Sequence, residues 1–271
     1  MRAHETPADT IREAARQSVR AFLADPANAA LLQRFESELG LSKAAIEGAY
    51  LRYATESMAS GNDIYDDLGI HVAMWIEYQA PLSLHARRQQ VVLDELRRVQ
   101  PQSIADIGFG APAHYLRNHV LHNPSVRAHL VDKFPGALAV GRTIMAHWSE
   151  RYADQVSFAL HDMDVDAPVA GHDCYLMLDA VEHAAEPDRY LRDSVAAAGR
   201  NALFLFHMPI GPLIASHTLA WASEREATQW LAAAGLEVGH TEFILPNPEV
   251  DHFSRHGVPL ENLFVVCRSR G

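Results

Sequence analysis

The sequence is poor in cysteine, with two cysteines among 271 residues. Cys174 and Cys267 lie far apart in apolar stretches, where buried free thiols are commoner than disulfides or metal ligands. There is also no apolar run of the roughly 18 residues that a membrane-spanning helix needs, and the N-terminus is polar with mixed charge. We therefore expect a cytoplasmic protein with reduced thiols and no membrane partner.

Positive charge is scarce as well. The chain has 23 Lys and Arg residues against 34 Asp and Glu residues, for a formal net charge of −11. This balance excludes the concentrated basic surface that binding to a phosphate backbone requires. We expect a small-molecule acceptor and no nucleic acid, and a homodimer is compatible with the sequence.

Histidine, in contrast, is abundant, with 16 residues. His114 and His119 are five residues apart, which points their side chains away from each other on a helix. His252 and His256 are four apart, but they lie in a proline-flanked stretch typical of a loop. The local spacing therefore predicts no metal site.

The first 100 residues carry helix signals and almost no strand pattern. Prolines, serines and a glycine mark helix starts and ends, and an aromatic, apolar segment covers residues 64–78. The predicted helices are residues 7–25, 28–39, 42–58 and 84–99. We interpret residues 1–100 as an N-terminal helical cap or lid domain.

From residue 101 onward, short apolar runs alternate with longer helical stretches. The predicted strands are residues 103–107, 127–132, 156–162, 173–179, 201–207, 236–243 and 262–268. Alternation with helices makes the first five strands parallel, and the last two, separated by an irregular loop, form an antiparallel edge hairpin. The expected fold of residues 101–271 is α/β, a Rossmann-like, seven-stranded, mostly parallel sheet behind an all-helical cap.

The first predicted strand ends in a glycine turn, with Asp106, Gly108 and Gly110 just before a helix. Glycines at such a turn let the backbone approach a ligand closely. Asp132 and then Lys133 end the second strand, and Asp132 stands 22 residues after Gly110, where a nucleotide-binding fold places the acid that binds ribose hydroxyls. Together these features predict a nucleoside site.

Acidic residues also end the third and fourth predicted strands. Asp162 can accept a hydrogen bond from an exocyclic amine, and Met163 can lie against a flat purine. Asp179 ends the fourth strand, where it can line the same pocket. Open α/β sheets bind ligands at the carboxyl ends of their strands, so these side chains should meet.

Residues 104–110, 132, 162–163, 173–183 and 232–238 resemble the motifs of the class I methyltransferases that use S-adenosylmethionine (SAM) on small molecules. The resemblance covers about residues 85–271. It implies a SAM-dependent methyltransferase of small-molecule biosynthesis. It also implies the cofactor-binding residues Asp106, Gly108, Gly110, Asp132, Lys133, Asp162, Met163 and Asp179, with Asp106 supporting the methionine ammonium.

Two features of the glycine turn bear on which cofactor binds and on which group of SAM reacts. A nicotinamide-binding domain would have a third glycine where Ala113 stands, which favours SAM. Pro112 replaces the third glycine of the commonest SAM motif and removes a backbone donor. The Gly-x-Gly-x-Pro turn is similar to that of nicotianamine-synthase-like enzymes, which have a helical domain before the SAM fold and use the aminocarboxypropyl arm of SAM.

Three functions therefore follow from the sequence. The first is methyl transfer to a small metabolite. The second is aminocarboxypropyl transfer, or cyclisation to azetidine-2-carboxylate, with release of methylthioadenosine. The third is SAM binding without catalysis, as in a sensor.

Three residues are candidates for catalysis. His183 could act as a general base, since its ordinary pKa lies near working pH, or simply start the helix after the fourth strand. Tyr65 and Tyr78 could surround the sulfonium with aromatic faces, or serve only as core of the cap.

Overall fold

The computed structural model describes residues 7–57, 60–80, 83–245 and 261–270. Its N-terminal part consists of helices α1 (Pro7–Ala24), α2 (Ala29–Leu39), α3 (Lys43–Glu56) and α4 (Leu68–Gln79), with a short 3-10 helix at Asn62–Asp66 before α4. The predicted caps are present: Gly40 ends α2 in the left-handed conformation, and the Ser42 side chain accepts from the Ala45 N–H. Helix α3 ends at Glu56, two residues before the predicted Met58, which lies outside the described residues together with His252 and His256.

Helices α1 to α4 share one apolar core. The Trp75 ring of α4 meets the edges of Phe22 and Phe35, with centroid distances of 5.7 and 6.3 Å. The same core includes Val140 and Ile144 of α6 (Pro135–Trp148), which follows β2. Helix α4 is thereby fixed beside the sheet.

Helix α5 (Leu84–Val99) has the predicted bounds but packs differently from the four helices before it. Its buried residues Val92, Leu93 and Leu96 belong to the core that also contains Ile104 of the first strand. This helix therefore covers one face of the sheet.

The sheet has seven strands in the order β3-β2-β1-β4-β5-β7-β6. Strands β1 to β5 are parallel, and β7 pairs antiparallel with both β5 and β6, so the predicted fold class and terminal hairpin are confirmed. The strands are β1 (Ser103–Ile107), β2 (Arg127–Asp132), β3 (Val156–Leu160), β4 (Cys174–Leu178), β5 (Leu203–Ile210), β6 (Leu236–Ile244) and β7 (Glu261–Ser269).

The connections depart from strict alternation with helices. Helices α6 and α7 (Pro187–Ala198) make the expected crossovers after β2 and β4, and α8 (Glu224–Ala233) precedes β6. The β1–β2 connection contains a single π-helical turn, Leu116–Val120, and residues 161–173 join β3 to β4 without a helix. The expectation of a helix between β3 and β4 was wrong; Pro168 and the turns around Asp164 and Gly171 keep that connection extended. Among the described residues, no helix is long and apolar enough to cross a membrane.

Candidate functional site

A cleft of about 600 Å³ lies at the carboxyl ends of β1, β2 and β4, beside α4. Most of the residues predicted to bind a cofactor, and two of the three predicted to be catalytic, meet here. These are Tyr65, Gly108, Gly110, Asp132, Lys133, Met163, Asp179 and His183. The strand ends thus bring together residues up to 118 positions apart in the chain, from Tyr65 to His183.

The glycine turn after β1 forms the floor of the cleft. Gly108 and Gly110 have φ angles of +68° and +58°, which side chains disfavour. A Cβ on Gly108 would stand 2.8 Å from the Ala180 Cβ, and one on Gly110 would stand 2.6 Å from the Met74 Cε. A side chain is strained by φ at both positions and also lacks space at Gly108, so the backbone itself faces the cleft.

Asp132 presents a fixed carboxylate at the end of β2. Its Oδ2 accepts from the Gly110 N–H at 2.9 Å, and its Oδ1 accepts from the Phe134 N–H at 3.0 Å. Burial raises the pKa of Asp132, opposed by these two bonds and by His71. Each oxygen keeps a lone pair for a further donor, as recognition of two neighbouring hydroxyls requires.

His71 of α4 connects the helical part of the chain to the glycine turn. Its Nδ1 lies 2.9 Å from the Gly110 carbonyl oxygen, and its Nε2 lies 2.9 Å from the Tyr65 carbonyl oxygen. A neutral imidazole can donate to one of these carbonyls, and an imidazolium to both. Helix α4 and the turn are therefore held in one arrangement by a single buried side chain.

A second cavity, of about 400 Å³, lies on the α5 side of the same turn. Phe109 and Ala111 line it, whereas Gly108 and Gly110 line the cleft. Tyr78, predicted to surround a sulfonium, lines this second cavity, together with Asp106. Tyr78 and Asp106 therefore line the neighbouring cavity and not the cleft.

Asp106 is buried, with 3% of its surface exposed, and accepts a hydrogen bond from the Tyr115 hydroxyl. Burial raises the pKa of Asp106 to about 7, partly opposed by that bond. Because strand side chains alternate, Asp106 shares a face with Ile104 and points toward α5. The carboxyl is thus a buried, titratable group of the second cavity.

An ion pair separates the cleft from the second cavity. Arg88 of α5, which lines the second cavity, pairs with Asp179, which lines the cleft. The Asn262 amide also donates to Asp179, at 3.2 Å, and Asp179 has a φ of +50°. A strained, doubly anchored acid after β4 therefore fixes the shared wall.

His183 lies in a short 3-10 helix, Val181–His183, after β4. Its Nδ1 is 2.8 Å from the Ser216 carbonyl oxygen and 3.1 Å from the Asn62 Oδ1, so Nδ1 carries the proton. Burial lowers the pKa of His183. The ring is therefore neutral, and its Nε2 lone pair has no hydrogen-bond partner among the described residues.

Asp162 does not line the cleft, although Met163 beside it does. Its Oδ1 accepts from the Asp164 N–H at 3.0 Å, and its own N–H donates to Asp166 at 2.7 Å. Asp162 therefore organises the turn after β3. Asp162, Asp164 and Asp166 are spaced by two residues, and this spacing, visible in the sequence, is typical of a local turn.

Several residues of the two cavities were not predicted. In the cleft these are Asn62, His71, Met74, Ile107, Phe134, His161 and Ala180, and in the second cavity they include Arg88 and His207. His71 and Met74 are three apart on α4, a spacing that places them on one helix face. Arg88 and His207 come from distant elements and have no local signal.

Comparison with known proteins bears on the fold. The sequence matches no protein-family model, and no curated protein is significantly similar to it. Solved structures do match. The SAM-dependent methyltransferase SibL, solved in its apo form, is 20% identical, with a TM-score of 0.54 over 94% of this chain and 73% of that chain. Magnesium protoporphyrin IX methyltransferase from Synechocystis PCC 6803, solved with bound SAM, is 12% identical, with a TM-score of 0.52 over 93% and 97%.

The chain therefore has the fold of the class I SAM-dependent methyltransferases. The cyclase SpnF also has this methyltransferase fold, with 14% identity and a TM-score of 0.54 over 71% of this chain and 84% of that chain. The two longer alignments extend beyond residues 85–271, so they include part of the N-terminal helices. The mostly parallel seven-stranded sheet and its antiparallel terminal hairpin are those that the sequence predicted.

Proposed function

We propose that this protein is a SAM-dependent transferase that methylates a small metabolite. The observation that carries the proposal is the buried Asp132 carboxylate, held by two backbone N–H groups at the edge of a glycine-floored cleft. That arrangement suits the two hydroxyls of a ribose and a ligand that approaches the backbone closely. The methyltransferase fold supports the same cofactor.

The cleft residues suggest how SAM would be held. Asp132 would accept from the ribose, and Met163 would lie against the adenine. The methionine arm would follow Gly108 and Gly110 toward Asp179. SAM supplies a sulfonium-bound methyl group, and the chain supplies orientation and exclusion of water.

Helix α4 and the segment before it would form the wall specific to the acceptor. Tyr65 lies between Phe134 and His183, with ring centroids 5.7 and 6.4 Å away. Burial raises the pKa of Tyr65 and of Tyr78, each to about 12, so both phenols stay protonated at neutral pH. They can face a cation or donate a hydrogen bond, and neither serves as a base. We propose helices α1 to α4 as the lid, with His183 accepting the proton of the acceptor through Nε2.

The position of Asp106 favours a second candidate, the use of the aminocarboxypropyl arm. The resemblance implies that Asp106 binds the methionine ammonium, but Tyr115 holds this carboxyl in the second cavity. In cyclisation the amine of SAM attacks its γ-carbon, the γ-carbon–sulfur bond breaks, and methylthioadenosine leaves with the bonding electrons. The amine's proton needs a base, and for Asp106, with a pKa of about 7, to accept it, the methionine arm of SAM would have to reach past Arg88 and Asp179 into the second cavity.

One experiment separates these functions. The protein is incubated with SAM, with and without a small-molecule extract, and the nucleoside product is identified by mass spectrometry. S-adenosylhomocysteine formed only with extract supports methyl transfer, and methylthioadenosine formed without extract supports cyclisation. Intact SAM with measurable binding indicates a protein that binds SAM without catalysis. If NADH raises the melting temperature and SAM does not, the cofactor assignment is wrong.

A further inference from the structure

Three side chains with metal-binding atoms converge behind the cleft. Glu182, His183 and His217 each place a ligand atom within 4.8 Å of the other two. The first two belong to the short helix after β4, and His217 belongs to the loop after β5. The neighbouring Thr218 joins the two segments, because its N–H donates to the Glu182 carbonyl oxygen at 2.8 Å and its hydroxyl donates there at 3.0 Å.

Glu182 is the unusual member of this group. It is fully buried, and neither carboxylate oxygen has a hydrogen-bond partner among the described residues. Burial raises the pKa of Glu182 to about 7, opposed in part by nearby backbone N–H groups and by Arg88, which is itself paired with Asp179. A buried carboxylate without a direct partner is strongly unfavourable, so Glu182 needs either a proton or a bound cation, and no described side chain contacts it to supply that charge.

The two histidines are prepared to act as ligands. The Ser216 carbonyl holds the proton of His183 on Nδ1, which leaves the Nε2 lone pair free, and metal-binding histidines are commonly oriented in this way. His217 has a buried Nδ1 without a partner among the described residues, and its ring meets that of His183 edge-on at 4.8 Å.

We propose that Glu182, His183 and His217 bind a divalent first-row transition metal ion. Two imidazoles and one carboxylate are a common set for Zn²⁺ and for Fe²⁺, and they leave coordination positions open. The ligand atoms of a tetrahedral zinc site lie roughly 3.3 Å apart, so the ion would draw the three side chains inward. Because His183 also lines the cleft, the ion would stand at the cleft wall, where an oxygen of an acceptor could reach it.

The proposal gives His183 a different role from that of a general base. With an ion bound, its Nε2 lone pair is a ligand, and the ion takes over polarisation of the acceptor. Metal binding itself does not depend on SAM, so it stands or fails separately from the proposed function.

The test uses the full-length protein without a histidine tag, stripped with chelator and dialysed. Zn²⁺, Co²⁺ and, without oxygen, Fe²⁺ are titrated by calorimetry, and Co²⁺ is also followed by its visible absorption. We expect one ion per chain with a micromolar or tighter Kd. Glu182→Gln and His217→Asn should each weaken it at least about tenfold, as loss of a metal ligand or its support does.

His240→Asn is the matched control, because His240 lies on β6 with 59% of its side chain exposed. It should bind the ion like the unaltered protein. Gln keeps the size of Glu182 and removes its charge, so that variant should fold; if circular dichroism shows otherwise, His217→Asn carries the test. The proposal is overturned if the protein binds no ion at 100 μM, roughly the weakest affinity relevant here, or if both ligand variants bind as tightly as the control. SAM titrations on the same samples report separately on the proposed function.

Discussion

Among single residues, Asp132 should matter most for the cofactor. Asn at this position keeps one acceptor and replaces the other with a donor, so it loses one bond to the Gly110 or Phe134 N–H and its charge. We expect Asp132→Asn to raise the Kd for SAM at least about tenfold and to lower the free energy of unfolding by about 1–2 kcal/mol. Calorimetry and denaturant unfolding measure the two effects.

Asp162→Asn is the matched control for that change. Asp132 ends β2 and Asp162 stands two residues after β3, and both were predicted to bind the cofactor, but the carboxylate of Asp162 accepts from Asp164 outside the cleft lining. SAM affinity should stay within about twofold of the unaltered protein, as for a residue that makes no ligand contact. An equal loss of affinity in both variants would contradict the assignment of the ribose site to Asp132.

Gly110 should be intolerant of a methyl group. Gly110→Ala forces a left-handed φ on alanine and places its Cβ against Met74, so we expect it to lower the free energy of unfolding by at least about 1–2 kcal/mol. In a Met74→Ala background the same change should cost less than in the unaltered protein, because the clash is gone and only the backbone strain stays; Met74→Ala alone supplies the reference, since it loses packing of its own. Gly48→Ala, on the exposed side of α3 with open space around it, should instead stabilise by about 0.5–1 kcal/mol. Denaturant unfolding of these proteins decides the matter.

Asp106 should make stability depend on pH. Its pKa is raised from 3.8 to about 7 in the folded protein, so between these values the folded state binds more protons than the unfolded state. Stability from this group is therefore present at low pH and lost as pH rises from about 4 to 7, by on the order of a few kcal/mol. Asp106→Asn keeps an acceptor for the Tyr115 hydroxyl and removes the titration. Unfolding of both proteins from pH 4 to 8 should show their stability difference changing across that window, and a constant difference would contradict burial of an ionisable Asp106.

At the scale of elements, α4 should depend on His71 for its docking. His71→Ala removes the contacts with the Gly110 and Tyr65 carbonyls, and one lost buried hydrogen bond is worth about 1 kcal/mol. We expect faster amide exchange in residues 68–79 and a Kd for SAM raised several-fold, while β4 keeps its protection. His122→Ala, on an exposed turn, should change neither. Exchange that stays unchanged in α4 would mean that the apolar core alone holds the helix.

The strands could be predicted from the sequence because each is a short apolar run between polar or glycine-rich breaks. Gly108, Gly110 and Asp132 could also be predicted from the sequence, because the glycine turn and the acid stand at a characteristic spacing. The second cavity could not be predicted, because Arg88 and His207 come together through the packing of α5 on β5. The alternation of side chains along β1 was enough to predict that Asp106 points toward α5. The resemblance to a SAM motif assigned it to the cofactor instead.

At the scale of the whole molecule, the packing of α5 against the sheet indicates where the lid ends. The sequence placed the boundary at residue 100, but α5 is buried against the sheet, whereas α1 to α4 share their own core. We propose a boundary near residue 82. A chain of residues 83–271 should unfold cooperatively, and one of residues 101–271 should not, because it lacks Val92, Leu93 and Leu96. Circular dichroism during thermal unfolding measures both, and equal behaviour of the two chains would contradict this boundary.

The place of β7 in the sheet has a consequence for synthesis of the protein. Strand β6 is made before β7, yet β7 is the strand that joins it to β5. During translation β6 therefore leaves the ribosome with no neighbour to pair with, and β5 keeps an open edge until residues 261–269 follow. Late in synthesis the chain thus exposes unpaired strand edges on β5 and β6, and such edges can pair with other chains. That interval is when we expect this chain to depend most on a chaperone.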